Sequence, residues 1–159
     1  MRLKYVYHVP ECGVGSAPMA RILPYSVLLA DDSEDDRLFI RRAFRRNPRF
    51  RLVGEACDGE SAIAWLAGEG EYRDREKYPF PDVLLLDLKM PRKTGHEVLE
   101  WLQIQDFKGL WVVVLSGSFL PTDIERSRAL GAHAYFKKDA LHEQQQAMIA
   151  DIESMLGQA

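Results

Sequence analysis

Five short apolar runs alternate with amphipathic stretches from residue 26 onward, and this alternation limits the fold more than any other feature of the sequence. Three of the runs, residues 27–30, 83–86 and 111–115, are continuously apolar, which is typical of strands buried on both faces. The stretches between the runs repeat apolar residues at helical spacing. Strands that alternate with helices over short connections predict a parallel sheet with helices on both of its faces.

Two weaker runs, residues 52–56 and 134–136, complete the series. The sequence therefore predicts an α/β protein in the order βαβαβαβαβα, with a five-stranded parallel sheet and five helices. In the doubly wound, flavodoxin-like strand order 2-1-3-4-5, the winding reverses between strands one and three, and ligands bind beside the carboxyl ends of those strands. We expect the functional site at the ends of residues 27–30 and 83–86.

Residues 1–24 contain three prolines and two glycines without a clear period, and we predict an irregular leader, with one domain over residues 25–159. Met19 is an alternative start of the chain. The charged stretch 68–81 is interpreted as a surface connection and not as a structural layer.

Composition excludes several classes of protein. The formal net charge of −3 argues against a broad basic surface for nucleic acid, and two cysteines are too few for a disulfide scaffold in 159 residues. No apolar run is long enough for an export signal or a membrane span. We therefore expect a cytoplasmic protein that binds neither nucleic acid directly nor membranes.

Acidic residues follow two of the predicted strands: Asp31 and Asp32 follow the first, and Asp87 follows the third. Carboxylates gathered at one sheet edge repel one another unless a cation lies among them. Oxygen ligands without histidine or cysteine favour Mg²⁺ over zinc. The sequence predicts a magnesium site at this edge.

A carboxylate beside Mg²⁺ can attack phosphorus and form an aspartyl phosphate. The phosphoryl group then needs hydrogen-bond donors for its charge. The ends of the next two strands offer the hydroxyl of Ser116 and an ammonium group at Lys137 or Lys138.

These residues resemble a known family, the response-regulator receiver domains. The resemblance extends from about residue 26 to 156 and rests on four motifs in the family's order, at residues 29–32, 85–91, 115–117 and 131–138. It implies that Asp87 is the phosphoacceptor, that Asp32 binds Mg²⁺ directly, and that Asp31 acts mainly through water. By the same resemblance, Lys89 contributes its backbone carbonyl to the metal.

The resemblance also assigns the phosphate-binding and switch residues. Lys138, counted from Gly131, is the phosphate-contacting lysine. Ser116 is the switch hydroxyl, followed by Gly117, and Tyr135 is the switch aromatic. Phosphorylation is expected to draw in Ser116 and to open space into which Tyr135 turns, which changes the surface of the fourth helix, the fifth strand and the last helix.

The implied function is that of a single-domain response regulator. It would accept a phosphoryl group from a sensor histidine kinase or a histidine phosphotransfer protein, and it would catalyse only its own phosphorylation and dephosphorylation. The long connection and residues 88–93 are similar to stand-alone regulators that partner bacterial phytochrome-type kinases, for which homodimerisation is plausible. One departure from the family is Asp139, which stands where proline usually follows the site lysine.

Two other functions fit parts of the pattern. An aspartyl-phosphate phosphatase would need a second acid two residues after the nucleophile, and that position is Lys89. A receiver-like interaction module that is never phosphorylated is the second alternative, and the intact acidic set speaks against it.

Overall fold

The structure, a computed structural model, describes residues 4–6, 24–138 and 145–157. The strands in these ranges are β1 (Lys4–Val6), β2 (Tyr25–Ala30), β3 (Phe50–Ala56), β4 (Val83–Leu86), β5 (Trp111–Ser116) and β6 (Ala134–Lys137). The helices are α1 (Glu34–Arg45), α2 (Gly59–Ala67), a 3₁₀ helix (Gly70–Arg73), α3 (Gly95–Gln103), α4 (Pro121–Ala129) and α5 (Gln145–Leu156).

Strands β2 to β6 form the five-stranded parallel sheet that the sequence predicts. Their order is β3-β2-β4-β5-β6, which is the order 2-1-3-4-5 when strands are counted from residue 25. Helices α1 and α5 cover one face, and α2, α3 and α4 cover the other. The predicted flavodoxin-like fold is confirmed.

Strand β1 differs from the prediction of an irregular leader. It pairs antiparallel with β6, with Tyr5 opposite Tyr135, and it adds a sixth strand at the edge of the sheet. A strand of three residues is too short to show the alternation by which strands are recognised, so local sequence carries little signal for it. The rest of residues 1–23 lies outside the described part of the chain.

The central strand β4 anchors the carboxyl end of the sheet, where Asp87 lies. All four of its residues are fully buried, because Leu84 and Leu86 face α2 and α3 while Val83 and Leu85 face α1 and α5. Burial of each such side chain stabilises the fold by about 1.5–3 kcal/mol. Asp87 directly follows this strand and is therefore anchored by two hydrophobic cores.

The helix ends follow the sequence signals. The Ser33 side chain accepts a hydrogen bond from the Asp36 N–H at 3.3 Å, as its capping pattern predicts, and Pro121 opens α4. Gly131 follows α4 with φ of +87°, in the left-handed region that glycine adopts without strain. None of the helices in the described ranges is both long and apolar enough to span a membrane.

The connection 68–81 lies at the surface, as predicted, and its aromatic residues also pack against α2. Tyr72 and Tyr78 each pack against the indole ring of Trp65, with ring centroids 5.1 Å apart. The indole N–H donates to the carbonyl of Pro79 at 3.1 Å. Trp65 in turn lies over Gly54, where an added Cβ would approach within 2.1 Å of the ring. The connection therefore covers α2 and the edge strand β3.

Candidate functional site

The sheet brings together the three acidic residues that the sequence singles out. Strands β2 and β4 are neighbours in parallel register, so Asp31, Asp32 and Asp87 follow strand ends at one edge. One carboxylate oxygen from each lies within 4.8 Å of the others. Asp31 and Asp87 are buried, whereas Asp32 is exposed and open to solvent.

Backbone contacts fix the two buried acids. The N–H of Asp31 donates to Ala56 at 3.0 Å, and the N–H of Asp87 donates to Ala30 at 2.8 Å. The Ser33 N–H donates to Oδ1 of Asp31 at 2.9 Å. These contacts fix the backbone of both acids and, through the Ser33 N–H, the carboxylate of Asp31.

Lys138 brings the only positive charge within salt-bridge distance of this acidic cluster among the described residues. Its N–H donates to the carbonyl of Ser116 at 2.9 Å, which fixes its backbone at the end of β6. Its Nζ lies 2.7 Å from Asp31 Oδ2, 2.9 Å from Asp36 Oδ2 and 3.0 Å from Asp87 Oδ2. Of the two lysines that the residues alone left open, Lys138 is the one that reaches the acids.

Burial and charge compete in setting the pKa values of these groups. Burial is the largest cause that raises the pKa of Asp31 and Asp87, and the ammonium of Lys138 partly opposes it. Burial alone would lower the pKa of Lys138, but its close contacts with the carboxylates of Asp31 and Asp36 and the charge of Asp87 raise that pKa above the ordinary value. One ammonium therefore faces an excess of carboxylates.

Two observations indicate that the site can bind a hard divalent cation. Oδ2 of Asp31 is buried and accepts no hydrogen bond of adequate geometry from the described residues, although it lies in an ion pair with Lys138. The three clustered ligands are all carboxylates, without histidine or cysteine. Oxygen ligands with an excess of negative charge are what Mg²⁺ or Mn²⁺ prefers.

Of the predicted switch residues, Ser116 ends β5 and Tyr135 lies within β6. Ser116 is buried, and its Oγ accepts a hydrogen bond from the Ser118 N–H at 3.1 Å. Tyr135 is fully buried and donates its hydroxyl to the Ser118 carbonyl at 2.9 Å; burial raises its pKa. Gly117 is exposed and faces open space. The ring of Tyr135 thus already occupies the interior, the position into which it was expected to turn.

Lys89 follows Asp87 by two residues, and its side chain is exposed. The proximity of its backbone N–H lowers the pKa of the Asp87 carboxyl against the larger effect of burial. The metal-binding role of its carbonyl stays a prediction. The bond between Lys138 and Asp139 lies outside the described residues.

Sequence reasoning missed one residue at the site, Asp36. Its backbone N–H takes part in the N-terminal cap of α1, where it donates to the Ser33 side chain. Its side chain also accepts a hydrogen bond from Lys138 Nζ at 2.9 Å. The contact itself depends on tertiary structure, since Lys138 is 102 residues away.

Known proteins match both the sequence and the geometry. The family profile described as the response regulator receiver domain matches residues 27–150. Response regulator Rcp1 of Synechocystis is 34% identical over 132 residues, covering 82% of this chain and 88% of Rcp1.

Solved structures give the same result. The phosphorylated cyanobacterial phytochrome response regulator RcpA superposes with a TM-score of 0.75 at 33% identity, covering 86% of this chain and 96% of RcpA. The Mn²⁺-bound form of Rcp1 gives a TM-score of 0.65 at 33% identity, covering 77% and 91%. RPA3017, a response regulator in red light signalling of R. palustris, gives 0.68 at 31% identity, covering 79% and 89%.

Proposed function

Because the chain belongs to the response regulator receiver family, whose members are phosphoacceptor signalling proteins, we propose that Asp87 accepts the phosphoryl group. The observation that carries this assignment is the position of Asp87. It is a buried acid at the end of the central strand, clustered with Asp31 and Asp32, and its Oδ2 lies 3.0 Å from the ammonium nitrogen of Lys138. The family implies a histidine kinase as the partner.

In the proposed reaction, a carboxylate oxygen of Asp87 attacks the phosphorus of a phosphohistidine on the kinase. The P–N bond breaks, its electron pair goes to the imidazole, and the imidazole takes up a proton. Attack of water on phosphorus later restores the carboxylate and releases inorganic phosphate. Burial holds the attacking carboxylate in a site of low dielectric, where positioned charges act strongly.

The metal in this proposal is Mg²⁺, held by Asp32 directly, by Asp31 mainly through water, by Asp87, and by the carbonyl of Lys89. The Mn²⁺-bound form of Rcp1 supports a divalent cation, and the three clustered carboxylates are the ligands for it here. When bound, the cation neutralises charge on the transferring phosphoryl group.

Lys138, Ser116 and the backbone at Gly117 are proposed to bind the phosphoryl oxygens once Asp87 is modified. Ser116 Oγ accepts a hydrogen bond from the Ser118 N–H, and the Ser118 carbonyl accepts one from the Tyr135 hydroxyl. A movement of Ser116 would therefore be passed to Tyr135 through Ser118. We propose that this chain of contacts transmits phosphorylation to the surface formed by α4, β6 and α5.

The upstream partner is proposed to be a phytochrome-type, light-sensing histidine kinase. Support comes from relatives that belong to phytochrome or red light signalling, RcpA and RPA3017. Output through self-association, as a homodimer, is part of the same proposal, and a cytoplasmic location stays a prediction.

Phosphorylation with radiolabelled acetyl phosphate and Mg²⁺ tests the proposal. Wild-type protein should take up label, Asp87→Asn should take up none, and Asp106→Asn, an exposed acid outside the site, should match the wild type. Equal labelling of the wild type and Asp87→Asn would reject Asp87 as the acceptor. Repeated turnover of ordinary phosphomonoesters, lost in Asp87→Asn, would instead favour a phosphatase.

A further inference from the structure

Asp36 lies in the first turn of α1 and contacts Lys138, yet the proposed reaction gives it no role. Its Oδ2 accepts a hydrogen bond from Lys138 Nζ at 2.9 Å, and Asp87 accepts the other directed bond at 3.0 Å. Asp31 lies closer, at 2.7 Å, but that contact is an ion pair without adequate hydrogen-bond geometry. The ammonium therefore contacts three carboxylates, and of these only Asp36 lies outside the acidic cluster.

A divalent cation among Asp31, Asp32 and Asp87 would need carboxylate oxygens that the ammonium now faces. Two cations that share the same carboxylates repel each other, and the repulsion is strong where burial lowers the dielectric constant. Binding of the cation would therefore weaken the contacts of Asp31 and Asp87 with the ammonium. The ammonium then needs another anion nearby, because an unpaired buried charge is costly.

We propose that Asp36 is a positioning residue that retains the ammonium of Lys138 at the rim of the site when the cation enters. This inference rests on the proposed function and deepens it. Asp36 is not a member of the metal-binding triad and acts through Lys138. Without Asp36, the ammonium is left with Asp31 and Asp87 and competes with the cation for both.

The position of Asp36 suits this role. Its backbone N–H is bound by the Ser33 side chain at 3.3 Å, so the start of α1 is fixed. Its side chain is 23% exposed and that of Lys138 is 15% exposed, which leaves the pair only partly screened by water. Asp35, one residue earlier, is exposed and is not among the partners of Lys138 in the described structure. Asp35 therefore provides a matched control.

The test measures Mn²⁺ affinity of the full chain from the electron paramagnetic resonance signal of the free ion. The proteins are the wild type, Asp36→Asn, Asp35→Asn, Lys138→Met and the double variant with Asp36→Asn and Lys138→Met. Asp36→Asn removes the charge-assisted contact that keeps the Lys138 ammonium away from the cation, and it should weaken Mn²⁺ binding about tenfold. Loss of a similar but unconnected charge should cost about threefold or less in Asp35→Asn.

Lys138→Met should bind Mn²⁺ more tightly than the wild type, because the competing ammonium is gone. In that background, Asp36→Asn should weaken binding no more than Asp35→Asn weakens it in the wild type. Near-ultraviolet circular dichroism checks that each variant is folded, and Asp36→Ser should reproduce the effect of Asp36→Asn.

Equal effects of Asp36→Asn and Asp35→Asn in the wild-type background would overturn the inference, since only long-range charge would then matter. An effect of Asp36→Asn that persists at full size in Lys138→Met would overturn it as well, because Asp36 would then act on the cation directly. Both results leave Mn²⁺ binding by the wild type intact. Failure of the wild type to bind Mn²⁺ would instead contradict the proposed function itself.

Discussion

The backbone of Asp87 packs closely against Gly95, a residue without a side chain. Gly95 begins α3, its N–H donates to Leu88 at 3.0 Å, and a Cβ placed on it would lie 2.2 Å from the carbonyl oxygen of Asp87. The obstacle is backbone and not a flexible side chain, so it cannot simply rotate away. Gly95 therefore lets α3 pack directly against the backbone of the proposed phosphoacceptor.

Gly95→Ala should lower the free energy of unfolding by about 1–3 kcal/mol, as overpacking typically does. It should also slow phosphorylation of Asp87, because the loop after β4 must shift. Gly117→Ala is the control for stability: nothing lies within 4 Å of its added Cβ, so its effect should stay within about 0.5 kcal/mol. Urea unfolding measures the stability of both variants, and the uptake of label from acetyl phosphate measures the rate of phosphorylation. Equal stability of Gly95→Ala and Gly117→Ala would contradict the packing argument.

At the scale of elements, the connection 68–81 completes α2. Arg75 donates to the carbonyls of Trp65 and Leu66 at 2.6 and 2.7 Å. Both are among the last four carbonyls of the helix, and that of Trp65 also accepts from the Gly68 N–H at 3.2 Å. The same guanidinium lies over Gly68, which has a φ of +71° and ends the helix. The connection thus caps the C-terminal end of α2 with an arginine side chain and an aromatic cluster.

Arg75→Met should destabilise the protein by about 0.5–1.5 kcal/mol, the net worth of hydrogen bonds of this kind. Arg73→Met, an exposed arginine in the same connection, removes an equal charge and should change stability little. Thermal unfolding compares the two. If both substitutions had the same effect, net charge and not the cap would be responsible.

At the scale of the whole molecule, two histidines join separate elements in their neutral form. His133 Nδ1 accepts the Val112 N–H at 3.1 Å, which links the start of β6 to β5. His96 Nε2 lies 3.1 Å from Ser127 Oγ, which links α3 to α4. Burial lowers the pKa of both, and the charge of Arg126 lowers that of His96 further.

These lowered pKa values predict that acid weakens the fold. Below the ordinary histidine pKa of 6.5 the unfolded chain binds protons that the folded chain does not, so the free energy of unfolding falls as pH falls. The loss is at most about 1.4 kcal/mol per pH unit for each histidine, and above pH 6.5 it is absent. Urea unfolding between pH 7.5 and 5.5 should show a steeper loss for wild type than for His96→Gln with His133→Gln. Parallel slopes would contradict this account.

The sequence predicts those parts of the fold that local pattern controls. The continuous run Val83–Leu86 is typical of a strand buried on both faces, and the acids after two such runs meet once those strands are neighbours. The central sheet order, the acidic triad and the choice of Lys138 therefore follow from pattern and resemblance together.

What could not be predicted depends on contacts between distant residues. Asp36 has the sequence signature of a capping residue, and only the fold brings Lys138 to it. Tyr72, Tyr78 and Arg75 lie in a stretch whose charge and glycine content indicate a loop, and only the position of Trp65 gives them a surface to cover. Strand β1 depends on the edge of β6, not on its own three residues.

The most direct test of the central claim locates the phosphoryl group chemically. Borohydride reduces an acyl phosphate to an alcohol, so phosphorylated Asp87 becomes homoserine, which peptide mass spectrometry identifies. After treatment with acetyl phosphate and Mg²⁺, the account predicts homoserine at position 87, none when the cation is removed by EDTA, and none at Asp31 or Asp32. Homoserine at another acid, or unmodified Asp87 in folded protein that retains its label, would contradict it.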